Sequence, residues 1–65
     1  MRVEITSQEA AEERRLWADF YEATMRAVEI IRSEGTNGNA VKRIVAEHAA
    51  ASDAVARIKE IRRLP

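Results

Sequence analysis

From Ser7 to Glu34, apolar residues recur at three- and four-residue spacing. Leu16, Trp17, Phe20, Ala23, Thr24, Ala27, Val28 and Ile31 form one stripe, with Tyr21 and Ile30 on its flank. The opposite face reads Glu12, Arg15, Asp19, Glu22, Arg26, Glu29 and Ser33. A period near 3.6, with no glycine or proline inside it, predicts one amphipathic helix over residues 7–34, about 40 Å long at 1.5 Å per residue. Arg15–Asp19 and Glu22–Arg26 stand at i,i+4 spacing and are expected to pair on its wet face. A second stripe runs Val41, Ile44, Val45, His48, Ala51, Ser52, Val55, Ile58, Ile61 and Leu64, and predicts a second helix over 40–64.

The residues around these stripes supply the boundaries. Residues 1–6 alternate apolar and polar, the period of a short extended arm. Thr6 offers an N-cap, Glu9 completes a capping box and Ile5 takes the hydrophobic-staple position. Gly35-Thr36-Asn37-Gly38-Asn39 is the one loop signal in the chain. Gly35 suits a left-handed C′ residue, Asn37-Gly38 a tight turn, and Asn39 the cap of the second helix. A loop of about five residues, 35–39, makes the two helices antiparallel neighbours.

Folding the chain about Asn37 places position i of the first helix roughly opposite position 74−i of the second. Trp17, Phe20 and Tyr21 then face the small-residue run Ala49-Ala50-Ala51-Ser52-Asp53-Ala54, large against small as interdigitated packing requires. The same alignment sets Glu9, Glu12 and Glu13 beside Arg57, Lys59, Arg62 and Arg63. Each stripe is wider than the seam that one neighbouring helix can hide. The expected architecture is therefore all-α: a single domain over 1–65, a two-helix antiparallel hairpin with a short N-terminal extended segment, dimerising into a four-helix bundle. Its core and interface are expected at Leu16, Trp17, Phe20, Tyr21, Val28, Ile31, Val41, Ile44, His48, Val55 and Ile58.

Composition narrows what could hold so small a fold together. Sixty-five residues without cysteine and with one histidine leave no disulfide and no thiolate metal site as a staple. Oligomerisation or close helix packing remains. Eleven basic and eleven acidic residues balance, so no overall field favours nucleic acid or an anionic membrane. The balance conceals a polarity, with a net −3 over residues 1–34 and +3 over 35–65. No apolar run reaches membrane-spanning length and no secretory leader is evident, so the expected location is cytoplasmic.

Candidate chemistry is sparse. His48 sits on an apolar stripe with Val45 where the Glu-x-x-His motif of di-iron bundles needs a carboxylate, and reads as a structural or interface histidine. Ser52 with His48 gives a hydroxyl and an imidazole at i,i+4, without an orienting acid or an oxyanion hole. Trp17, Phe20 and Tyr21 read as core, and Arg57, Lys59, Arg62 and Arg63 as charge that complements a helix C-terminus and facing glutamates. Asn37-Gly38 has turn chemistry and lacks the spacing and lysine of a phosphate loop. No cofactor, metal or catalytic activity is expected.

Two resemblances bear on function. Arg2-Val3-Glu4-Ile5-Thr6 followed by two helices resembles the ribbon-helix-helix repressors, whose paired strands read the major groove. That family has a short first helix, whereas this one is uninterrupted, and Glu4 would repel phosphate. Val45-Ala46 with Ala49-Ala50-Ala51-Ser52 is similar to the turn of a helix-turn-helix, but has no glycine in the turn and Asp53 at the start of the reading helix. Neither extends far enough along the chain to name a family. The expected function is a protein–protein interaction or oligomerisation module, an accessory, adaptor or inhibitor-like protein acting as a homodimer or on a protein partner. The alternative is a small DNA-binding regulator using the ribbon or the basic turns.

Overall fold

The computed structural model describes residues 4–63. They form two α-helices, α1 (Ser7–Glu34) and α2 (Gly38–Arg62), packed as an antiparallel hairpin, with no strand among the described residues. The first half of the expected N-terminal arm, residues 1–3, and the end of the second stripe, residues 64–65, lie outside the described residues.

The start of α1 follows the sequence closely. The Thr6 hydroxyl accepts from the Glu9 N–H at 3.0 Å, and the Glu9 carboxylate accepts from the Thr6 N–H at 3.1 Å, so two of the orphan donors of the first turn are satisfied reciprocally. The connection is shorter than five residues. Asn37 caps α2 in place of Asn39, and Gly38 is already its first helical residue. The Asn37 amide explains the difference, because it serves both helices at once. Its oxygen accepts from the Ala40 N–H at 3.0 Å and its nitrogen donates to the Glu34 carbonyl at 3.1 Å. Gly35 has the positive φ expected of it, but its φ of 76° is joined to a ψ of −146°. That conformation is the mirror image of extended backbone, not the left-handed helix, and is open essentially to glycine alone.

The seam between the helices is made largely of small residues. Ala23 and Ile30 of α1 and Ala40, Ala51, Ala54, Ile58 and Ile61 of α2 are buried. Alanine lets the backbones approach but hides little apolar area. The result is a slab of 47 × 20 × 13 Å, a single layer of helix, where most domains stack at least two layers on a shared core. Its radius of gyration is 14.7 Å, against about 11 Å for a compact chain of this length. Among the described residues, no helix is long and apolar enough to cross a membrane.

The two glycines of the turn should respond oppositely to alanine. Gly35→Ala should destabilise the hairpin by about 1–3 kcal/mol, because an L side chain is strained at that φ and ψ. Gly38 has open space around its Cα and no positive φ, so Gly38→Ala should be neutral or stabilising by up to about 1 kcal/mol. Thermal unfolding of the two variants at one protein concentration measures the contrast.

Candidate functional site: one apolar face

The two long sides of the slab differ in chemistry. On one side, Arg26 reaches Glu47 at 2.6 Å and Arg43 reaches Glu34 at 2.5 Å, around a shallow groove also lined by Glu29 and Ser33. This pairing replaces the Glu22–Arg26 bridge expected along α1. Arg26 turns across the seam, where Glu47 is the better-shielded partner, while Arg15–Asp19 forms as expected at 3.6 Å. The other long side has an apolar groove of about 370 Å3, floored by Ala23, Ala27 and Ala51 and edged by Phe20, Thr24, Ile44, His48, Ser52 and Val55.

Helical geometry extends that groove into a face. At 100° per residue, Trp17, Thr24, Val28 and Ile31 stand on the same flank of α1, and Val41, Val45, His48, Ser52 and Val55 on the adjoining flank of α2. Trp17 is 47% exposed, Tyr21 65% and Val45 60%, with Val28, Ile31 and Val41 also exposed. Trp17 and Phe20 meet edge to face, ring centres 5.8 Å apart, at the end of the groove nearer the termini. Adjoining apolar exposure of this kind makes the face the candidate site, whereas scattered apolar residues would not.

The eleven residues expected at the core and interface therefore divide. Ile58 is buried, while Leu16, Phe20, Ile44 and Val55 are half-buried. Trp17, Tyr21, Val28, Ile31, Val41 and His48 are exposed on the single hairpin. Phe20 does face the alanine run, since it lines the same groove as Ala51. Trp17 and Tyr21 do not pack into the seam as the large-against-small alignment expects, because α1 turns them away from α2. Six buried residues, Ala23, Ile30, Ala40, Ala51, Ala54 and Ile61, lay outside the expected eleven; for Ala40 and Ala54, which stand outside both stripes, the signal was position alone, at helical spacing from Ile44, Ile58 and Ile61.

The end of the slab carrying the chain termini is closed by charge. Arg57 donates to both oxygens of Glu12 at 2.8 and 3.1 Å and to Glu60 at 3.0 Å. Arg62 holds Glu13 with two bonds of 2.7 Å, and Arg63 stands 3.5 Å from Glu9. Glu13–Arg62 here and Arg26–Glu47 on the long side each fall within one residue of the alignment drawn from sequence, while Glu12–Arg57 departs from it by five. Hydrogen bonds from Arg57 and Arg62 hold the Glu12 and Glu13 carboxylates below the usual glutamate range, and the Thr6 N–H does the same for Glu9. The three arginines that a DNA-binding reading would use are thus already engaged by glutamates.

For chemistry, the face has little beyond a hydroxyl and an imidazole. His48 and Ser52 share the groove, and its carboxylate, Glu47, is bonded to Arg26. Among the described residues no three His, Cys, Asp or Glu side chains gather as a metal site. Comparison with known proteins returns nothing: no family model, no curated protein and no solved structure matches this chain.

Acid should loosen the terminal end of the hairpin. Carboxylates whose folded pKa is lowered stabilise the fold above their unfolded value and lose that contribution as pH falls through the folded one. Helicity should therefore hold to about pH 4.5 and decline below it, given the ~4.3 of an unperturbed glutamate. The decline should be shallower in a Glu12→Gln, Glu13→Gln double variant. Circular dichroism between pH 6 and 2 tests this, and an identical acid profile for both proteins would count against it.

Proposed function

We propose that this chain is a self-associating interaction module: its apolar face seats a second copy of the hairpin, and the pair forms an antiparallel four-helix bundle. The observation that carries the reading is the one-sidedness of the slab. One long side is tiled with ion pairs, and the other exposes Trp17, Val28, Ile31, Val41 and Val45 around an alanine-floored groove.

Surface area supports a second copy as the occupant. The chain exposes 5151 Å2, against about 4200 Å2 for a compact monomer of its 7.4 kDa mass. The excess is close to the ~800 Å2 that each partner contributes to a stable interface of ordinary size. Charge supports it too. Five ion pairs join α1 to the chain of α2 and the residue that follows it, and they use up charges that could otherwise steer an oppositely charged partner. A neutral apolar face that pairs with itself needs no such steering. In the cell such a bundle serves as an accessory, adaptor or inhibitor-like protein, with the outer polar sides of the four helices left for other contacts.

Sedimentation equilibrium tests the proposal. Twice the chain mass is expected at low micromolar concentration, with a thermal midpoint that rises with concentration. Val45 is already wet on the single hairpin, so Val45→Glu should leave the helices intact. It should weaken association by about 30-fold or more, the loss typical of a central interface position. Ala46→Glu, on the charged side, should not. A cooperative, folded monomer at tens of micromolar, or equal effects of the two substitutions, would sink the reading.

A further inference from the structure

The apolar face has one titratable group at its centre that no other side chain neutralises. At 100° per residue His48 stands almost along the outward normal of the face, and it edges the groove midway between the Trp17 end and the Ile31–Val41 end. Whatever covers the groove covers this imidazole.

We infer that assembly of the bundle is gated by protons at His48: a second copy seated on the face accepts the neutral imidazole and is driven off by the imidazolium. This rests on the self-association reading above and adds its regulation.

The surroundings of His48 favour the neutral ring. A neutral imidazole needs one donor and one acceptor. The Ser52 hydroxyl, one turn along α2, can donate to the bare ring nitrogen. The Thr24 hydroxyl, across the groove, has committed its hydrogen to the Phe20 carbonyl at 2.8 Å and is left with lone pairs to accept the ring N–H. An imidazolium would need a second acceptor and, once water is excluded, a counter-charge.

The charged groups around it supply none. Glu47 lines the groove, but its carboxylate is bonded to Arg26 at 2.6 Å. On α1 the groove shows Phe20, Ala23, Thr24 and Ala27, and the nearest acid toward the termini on that flank, Glu13, is held by Arg62. Glu13 also lies eleven residues from Thr24, about 16 Å along the helix. On α2, Asp53 faces away from the groove, and Lys59, two turns beyond Ser52 on the same flank, adds positive charge. The second copy brings the same face. Near the two-fold axis its own His48 would add like-charge repulsion.

The sign follows by linkage. The assembled protein binds fewer protons than two separate chains, so association weakens as pH falls from about 7.5 to about 5.5. The glutamates with lowered pKa titrate well below this window and do not blur it.

The test measures the dimer dissociation constant by sedimentation velocity at pH 7.5, 6.5 and 5.5, for the natural chain, His48→Asn and His48→Leu. The natural chain should weaken by up to about a hundredfold between pH 7.5 and 5.5, tenfold for each of two histidines. Both variants should dimerise with constants that do not change with pH, and His48→Leu should be the tighter. A natural dimer indifferent to pH, or one that tightens in acid because Glu47 leaves Arg26 for the imidazolium, would overturn the inference and leave self-association standing. Equal pH dependence in the variants would overturn it as well, by assigning the effect to another group. A monomer at pH 7.5 in all three proteins would overturn the self-association reading and the gate together.

Discussion

Alanine at a helix–helix seam brings two backbones close together and, in doing so, leaves the seam thin. Here Ala23, Ala40, Ala51 and Ala54 occupy four of the seven buried positions, and isoleucine fills the other three near the ends. A fully buried isoleucine contributes about 1.5–3 kcal/mol by transfer from water, whereas an alanine contributes a fraction of that. Beside so thin a seam stand the local capping at Thr6 and Asn37, the ion pairs between the helices, and an exposed face that holds many of the larger apolar side chains.

The ion pairs answer a different need. Each joins partly exposed side chains, so each is screened by salt and contributes little net free energy. Their placement carries information all the same. Glu13–Arg62, Glu12–Arg57, Arg26–Glu47 and Glu34–Arg43 are spaced along the hairpin, and a shift of α2 along α1 would disturb them together. An alanine seam, being nearly uniform, tolerates such a slip. These pairs mark the register of the hairpin along one long side and the terminal end, and Glu47, bonded to Arg26, is the charged side chain that lines the groove.

Much of this was legible in the residues. Both helices, the Thr6–Glu9 capping box, the antiparallel hairpin and the meeting of acidic first turn with basic last turns follow from periodicity and spacing. What was not legible turns on choices between near-equal options. Asn37 and Asn39 are both good caps, two residues apart, and only the reach of the Asn37 amide to both Ala40 and Glu34 decides between them. Arg26 has one acid at i−4 and another across the seam, and spacing along one helix is blind to the second. The apolar stripe of α1 spans more than one face, and the period alone cannot divide it between Ala23 and Ile30, which the hairpin hides, and Trp17 and Tyr21, which it leaves wet. For the candidate site, the sequence supplied its members but not their arrangement around one groove.

That division has a consequence for how the chain could exist at all. The aromatic Trp17 and many of the valines lie on the exposed face, and the seam holds four alanines beside three isoleucines. A sequence shaped for a lone hairpin would place Trp17, Val28 and Ile31 against α2 and put charge where they now stand, which costs nothing in helix propensity. The arrangement here does the reverse. On the proposed self-association, this exposed apolar face is what a second copy would cover, and a group buried there would act on folding and on assembly alike. On that reading His48 lies at the middle of the covered face, beside a Glu47 bonded to Arg26, while arginines hold the Glu12 and Glu13 carboxylates of the hairpin below the usual glutamate range. Under the proposed assembly, acid would act on the interface before the hairpin, a loss of structure in two steps.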